Sequence, residues 1–567
     1  MSHNSRHAIQ PRTANGARSR AGAPFRHRHP PTPTRSHGGT SVTTTRTTPQ
    51  HGRATREHAR SELTRGVFDL LVIGGGIVGI SVAWLATQSG LRVAVVDAGD
   101  FAGATSSASS KLVHGGLRYL QTGNVRLVTE NHHERRALAS DVAPHLVNPM
   151  PFLVPVYKGG PHGAVKTAAG VFLYSALSGF GDGLGRVVTS EHARRLAPGL
   201  RTAGLKTVAT YRDHQMNDSR VAIMTLGAAV EAGTVALNHA PVVGLRTTHG
   251  RVTGAELRDT ASGEEFGVDA RLVLNATGPW VDHLRGMEDP AAAPSVRLSK
   301  GAHLVVATDR PWRAALTIPM DTYRVSFAIP WEGHLLLGTT DEEYTGDPAE
   351  VGVLRGDVDQ ILGEAGTAIS DDVLDPRRVR YAFAGLRVLP GGGTGTSAAK
   401  RETLVTRGRG GMLSVAGGKW TTYRHIGRLV LDQLRRERSV PFAEDMTPPL
   451  RSVPLPGVGR PEAIAHRLMA DRQLPGRMDP LVARHLATHY GNVALDIADL
   501  VRAEPALGER VHPDGPDIWA QVTHARDREW AVTVDDVLRR RTTVTVRGLD
   551  TDDVRERTAA LLGRPAG

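Results

Sequence analysis

The residues with the clearest chemical meaning are Gly74, Gly76, Gly79 and Asp97. The glycines sit in Leu70-Leu71-Val72-Ile73-Gly74-Gly75-Gly76-Ile77-Val78-Gly79, and Asp97 ends the next apolar run, Leu91-Arg92-Val93-Ala94-Val95-Val96. In this spacing Gly74 allows a tight turn, Gly76 lets a pyrophosphate approach the backbone, and Gly79 lets a helix pack closely on a strand. The first helical turn then offers unpaired N–H groups to phosphate, while Asp97 accepts hydrogen bonds from ribose hydroxyls. The elements that must position these groups surround them: a buried-type strand over 70–73, a helix leaving through Ala83 and Trp84, and a second strand ending on the acid. A membrane span over 67–86 is the competing reading, and Asp69 with three consecutive glycines argues against it. The segment reads as a dinucleotide site.

The residues after Asp97 favour FAD over NAD. In place of a further strand–helix unit, the chain continues Thr105-Ser106-Ser107-Ala108-Ser109-Ser110-Lys111, then Leu112-Val113-His114-Gly115-Gly116-Leu117-Arg118-Tyr119-Leu120. Five hydroxyl side chains within six residues, then a cation, suit the pyrophosphate of a long, extended cofactor. A flexible serine-rich linker would lack the apolar and basic residues that come next.

Composition narrows the remaining classes. A chain of 567 residues holds two or three domains, and the absence of cysteine excludes disulfides, thiolate metal sites and thiol catalysis. No metal site is expected. The net charge of +12 suggests a nucleic-acid partner until it is mapped. Residues 1–66 carry 12 arginines against Glu57 and Glu62, so the rest of the chain is within two charges of neutrality and no nucleic acid is expected as a partner. That arm is rich in Arg, His, Pro, Ser and Thr without helical or strand period, and is expected to be a disordered extension. A spurious start ahead of Val67, an organelle transit peptide or a nucleic-acid-binding arm are the alternatives.

From Ala104 to Leu120 the sequence resembles FAD-dependent glycerol-3-phosphate dehydrogenases. The similarity continues through Ala143-Pro144-His145-Leu146, Asn275-Ala276-Thr277-Gly278-Pro279-Trp280, Arg324-Val325-Ser326-Phe327-Ala328-Ile329-Pro330-Trp331, Gly385-Leu386-Arg387 and Gly417-Gly418-Lys419-Trp420-Thr421-Thr422-Tyr423-Arg424. Two departures stand out. Asp97 replaces the family's usual Glu, and Arg387-Val388-Leu389-Pro390 with a glycine-rich stretch replaces Arg-Pro-Leu and a more acidic loop. The resemblance implies an α/β fold: a Rossmann-like FAD domain of the D-amino-acid-oxidase type, an interleaved mixed-sheet substrate domain and an all-α C-terminal domain. The expected divisions are 1–66, 67–447 and 448–567. It also implies oxidation of sn-glycerol 3-phosphate to dihydroxyacetone phosphate, with hydride passing from C2 to flavin N5 and electrons to a quinone. A hydrogen-peroxide-forming oxidase and a non-enzymatic RNA-binding flavoprotein are the alternatives, and a homodimer is allowed.

The implied site has three tasks. Arginine grips a phosphate dianion with two charge-assisted bonds, and the resemblance puts Arg118 and Arg324 on the substrate, with Tyr119 as hydroxyl partner and Arg387 on substrate or flavin edge. His114, with an ordinary pKa of about 6.5, is the candidate for taking the hydroxyl proton. Lys419, at the start of a helix after Gly417 and Gly418, would stabilise charge on reduced flavin. Thr105, Ser106, Ser107, Ser110, Lys111, Thr277, Gly278, Thr421 and Thr422 complete the expected cofactor set. A helix is expected from Ile518 to Arg541. The short apolar run Val171-Phe172-Leu173-Tyr174-Ser175-Ala176-Leu177, after Lys158 and Lys166, is a candidate interfacial segment or an ordinary buried helix. The expected location is cytoplasmic, peripheral on the inner face of the cell membrane.

Overall fold

The computed structural model describes residues 53–121, 124–321, 324–391, 403–440 and 453–563. The strand Val67–Ile73 lies between Val93–Val96 and Glu265–Asn275, parallel to both. Neighbours on each edge and helices on its faces bury Leu70, Leu71 and Val72 completely, which is why the strand reads as an unbroken apolar run. The sheet extends outward to Leu413–Gly417 and Thr403–Arg407 on one side and Val235–Leu237 on the other. Its central strands therefore come from three distant stretches of chain. The turns after Ile73, Asn275 and Gly417 fall at one end of this sheet, outside the carboxyl ends of its strands, where open α/β sheets bind ligands.

A second sheet of ten strands is built from the intervening segments. Val147–Tyr157 pairs with Leu205–Met216, and Val296–Ala307 pairs with Val379–Pro390, each antiparallel over about the full strand length. The expected mixed-sheet domain, interleaved with the first, is thus present. The helices Pro461–Ala470, Pro480–Tyr490, Ala494–Ala503, Trp519–Arg528 and Asp552–Leu561 form the C-terminal domain around Leu486, Ile497 and Val522.

Two expectations are corrected. The expected disordered extension contains a helix, Arg53–Leu63. Leu63 is fully buried against Phe68 and Leu71, and Arg56 donates to Asn238 O (2.7 Å) and Asp259 Oδ1 (2.8 Å). Its few apolar residues gave no period, because ion pairs to residues some 200 positions away hold it. A chain starting at Val67 is expected to melt about 1.5–3 °C below one starting at Arg53, since burying one leucine alone contributes about 1.5–3 kcal/mol and the unfolding entropy of about 500 residues converts each kcal/mol to about 1 °C; calorimetry on the two lengths checks this.

The helix expected from Ile518 to Arg541 is broken. Trp519–Arg528 ends before Trp530, whose φ of 58° is left-handed, and Thr533 restarts the helix by accepting from Asp536 N. The β-branched residues Val532, Thr533 and Val534 disfavour continuation. Trp530 packs edge-on against Phe101, 5.8 Å between centroids.

Candidate active site

A cleft of about 940 Å³ runs across the carboxyl end of the first sheet. Its floor is the glycine turn. Gly74 has a φ of 108°, and a Cβ there would stand 2.5 Å from Ala276 O. Gly76 caps the helix Ile77–Gln88 without a side chain, leaving the N-terminus open to the cleft, and Ile77 N donates to Ser106 Oγ (2.9 Å). Gly79 does not line the cleft; a Cβ there would meet Gly74 O at 1.9 Å, so its part is close packing of helix on turn. Asp97, Thr105, Ser106, Ser110, Thr277 and Gly278 line the walls, as do Gly417, Gly418, Lys419 and Thr421. An anion cradle of glycine backbone and the Ser106 hydroxyl, an acid one strand away and a long cleft fit an extended dinucleotide such as FAD.

A second cavity of about 300 Å³ adjoins the first. Ser110, Leu112, His114 and Arg387 line both, so the two spaces meet at this wall. The second is closed by Tyr119, Phe152, Tyr211, Thr317, Val325 and Phe327. The His114-Gly115-Gly116 segment is held from behind. His114 N donates to Thr421 Oγ1 (3.2 Å), Gly115 N to Asp213 Oδ1 (3.1 Å), and Asn131 Nδ2 to Gly115 O (2.9 Å). Asp213, raised above the usual carboxylate range by burial, also accepts from Tyr174 Oη and from Arg135, which is itself almost fully buried. Lys419 Nζ stands 3.6 Å from the Tyr119 ring centroid, a cation–π contact on the cofactor side.

Arg387 reaches the shared wall from the strand Val379–Pro390. A Cβ on Gly301 would stand 2.6 Å from its Nη2, so glycine clears the space. Nη2 donates to Thr339 Oγ1 (3.0 Å), and both Nη atoms donate to Thr340 O (3.2 Å). Arg118 opens the short helix Arg118–Gln121; its side chain lies outside the described residues.

Four expected site residues stand elsewhere. Arg324 forms an ion pair with Glu364 (Nη2 to Oε1, 2.6 Å) and does not line the second cavity. Strand alternation explains it: Val325 and Phe327 face the cavity, which turns their neighbours toward the core under Ile361 and Ala365. Lys111 donates to Asp218 Oδ1 (2.6 Å) and Ser107 O (2.7 Å), away from the cleft, with Trp331 and Phe383 each 5.2 Å from its ammonium. Ser107 turns back to Ala104 O, and Thr422 Oγ1 to Lys419 O, so neither lines the cleft.

His303 carries no motif that marks it in the sequence. It lines the cofactor cleft, shares a hydrogen bond with Ser110 Oγ (2.9 Å) and stacks on Phe383. Burial lowers its pKa to about 3, so it stays neutral and is a weak proton acceptor at neutral pH. Nor does local sequence point to Thr317, which is hydrogen-bonded to Tyr211 (2.8 Å) in the cavity wall; Tyr211 itself falls in a block that matches the family, where it is expected only to support or pack.

Burial raises the Asp97 pKa to about 6, against the amides of Gly99 and Gly75, which donate to its carboxylate and lower it. Ribose hydroxyls donate best to the ionised form. FAD affinity of the apoprotein is therefore expected to fall as the pH drops below about 6, by up to about tenfold per unit, and Asp97→Asn to flatten that profile. Flavin fluorescence titrations between pH 5 and 8 check it. For folding of the apoprotein the sign is opposite: the contribution of Asp97 is full below about 3.8 and is lost as the pH rises through about 6.

Comparison with known proteins accords with this geometry. Residues 69–424 match the FAD-dependent oxidoreductase family, and residues 451–567 match the C-terminal domain of alpha-glycerophosphate oxidase. Glycerol-3-phosphate dehydrogenase 2 of Mycobacterium tuberculosis is 34% identical over 522 residues, covering 90% of this chain and 88% of its own length. The glycerol-3-phosphate dehydrogenase of Synechocystis is 34% identical over 509 residues, covering 85% and 90%. Among solved structures, the glycerol-3-phosphate dehydrogenase of Bacillus halodurans complexed with FAD superposes with a TM-score of 0.70 at 25% identity, over 91% of this chain and 98% of that one. The chain belongs to the FAD-dependent glycerol-3-phosphate dehydrogenase family.

Proposed function

We propose that this protein oxidises sn-glycerol 3-phosphate at C2 to dihydroxyacetone phosphate and passes the electrons to a quinone. The observation that carries the reading is the shared wall, where Arg387 and His114 face both the cofactor cleft and a pocket sized for a three-carbon phosphate. Bound FAD supplies the hydride acceptor. The chain supplies the rest. Arg387, with Arg118 on the neighbouring segment, holds the dianion through charge-assisted bonds. His114 takes the C2 hydroxyl proton as the hydride leaves, so C2 loses one hydride and its oxygen one proton. Phe152, Val325 and Phe327 exclude water from the pocket, and Lys419 offsets negative charge arriving at the cofactor.

The quinone assignment rests on an apolar outer surface. On the helix Ala164–Leu177, Val165, Phe172 and Leu173 are exposed, and Phe180, Leu184 and Val187 lie exposed just beyond it. Leu173 also lines the second cavity; Lys158 precedes the helix and Lys166 lies in its first turn. No described helix is long and apolar enough to cross a membrane, so contact would be through this interfacial face, on the inner side of the cell membrane. Anaerobic addition of glycerol 3-phosphate is expected to bleach the bound flavin, and a soluble quinone to restore it faster than oxygen does. No bleaching removes the substrate assignment; faster recovery with oxygen replaces the dehydrogenase reading with an oxidase.

A further inference from the structure

The C-terminal domain supplies part of the cofactor cleft: Asp535, Asp536, Arg539 and Arg540 line it. The direction of the cleft says which part. The phosphate cradle lies at Gly74 and Gly76, the ribose acid at Asp97, and the reactive end at Ser110, His114 and Arg387, where the second cavity opens. The wall beyond Asp97 is made by Asp100 and His239, and these are the residues that the C-terminal domain grips.

The grip is buried and fully bonded. Asp100 accepts from Arg540 Nε and from both Nη atoms of Arg541. Asp536 accepts from Arg540 Nη2 (2.8 Å), from His239 Nε2 (2.8 Å) and from Thr533 N (2.8 Å). His239, at a left-handed φ of 49°, returns a backbone bond to Gly99 O (2.8 Å). Two acids and two arginines balance in charge, so no net charge is left buried. Arg539 and Asp535 stand exposed on the cleft side of this cluster, one helical turn apart.

We infer that the C-terminal domain is the adenosine clamp of the FAD site: Arg539 covers the adenosine end, and the Arg540–Arg541–Asp100–Asp536 cluster fixes the loop that carries the ribose acid. The inference rests on FAD as cofactor. It makes Arg540 and Arg541 positioning residues and Arg539 a ligand-facing one. The C-terminal domain is then part of cofactor binding as well as an appended helical domain.

The discriminating probe is FMN, which keeps the isoalloxazine and one phosphate but lacks the adenosine. Dissociation constants of FAD and FMN are measured by flavin fluorescence on apoprotein carrying Arg539→Gln or Arg540→Gln, with FAD release from the holoenzyme followed in parallel. The exposed change is expected to weaken FAD about 3–10-fold and the buried one about 10–100-fold, with FMN within twofold of the parent in both. Equal weakening of FAD and FMN means fold damage only and overturns the clamp; so does FAD binding unchanged in both variants. Where Arg540→Gln fails to fold, Arg539→Gln and Arg539→Glu decide alone. A parent protein that binds no FAD defeats the cofactor assignment instead, a different result from a parent that binds FAD and variants that bind it equally well.

Discussion

Arg387→Ala is expected to lower kcat/KM for glycerol 3-phosphate by about 10²–10⁴ while FAD stays bound, the range set by losing a charge-assisted contact in a largely dehydrated pocket. The Arg387 side chain is only 19% exposed. Its fork is aimed by the Thr340 carbonyl and the Thr339 hydroxyl, a geometry an ammonium cannot reproduce, so Arg387→Lys should recover only part of the loss. Unphosphorylated glycerol should suffer far less from either change. Arg324→Ala is the control: with its side chain on Glu364, efficiency should stay within about threefold, the effect being on packing. Steady-state kinetics with flavin content measured on the same samples reads all of this. Release of FAD by Arg387→Ala would make that residue a cofactor holder, and equal losses in the two variants would return Arg324 to the substrate.

Asp218→Ala should be the most destabilising single change near the cofactor. Asp218 is fully buried and accepts from Lys111 Nζ, Ser109 Oγ and Ser109 N. Its removal strands a buried ammonium and frees the serine loop that lines the cleft, a cost of about 3–5 kcal/mol. A lower urea midpoint together with faster FAD release is expected. The neutral pair Lys111→Met with Asp218→Asn, each close in volume to the residue it replaces, should recover most of the midpoint, because it leaves no charge unpaired and keeps an acceptor for Ser109. Were Lys111 a pyrophosphate ligand, Lys111→Met alone would weaken FAD at unchanged stability and the second change would restore nothing.

These two residues also mark the limit of what the sequence discloses. The glycine turn and Asp97 are readable because the strand, helix and acid that use them lie within 30 residues and each has its own period. The same holds for the segment from Ser110 to Tyr119, whose residue types are unusual together. Lys111 lies within that segment, yet its destination is set by Asp218, 107 positions away. Arg324 has the right type and neighbours for phosphate, but its direction depends on the pairing of Val325 with Pro319, and a shift of one residue in register would reverse it. The adenosine wall is still less visible: His239 and Arg539 reach the cleft only through tertiary packing, with no motif of their own. The break at Trp530 is hidden because its signal, a run of β-branched residues, is weak against an otherwise helical pattern.

The assembly of the cleft from Gly74, Thr277, Gly417 and Arg540 has a consequence for how the protein acquires its flavin in a cell. A ribosome delivers about 5–20 residues per second, so roughly 20 to 90 s separate the emergence of the glycine turn from that of Arg540. During that interval the nascent chain has a phosphate cradle with no opposite wall. Flavin capture is consequently expected to be complete only after Arg540 has emerged, and flavin-starved cells should accumulate apoprotein that includes this segment in preference to stalled or truncated chains.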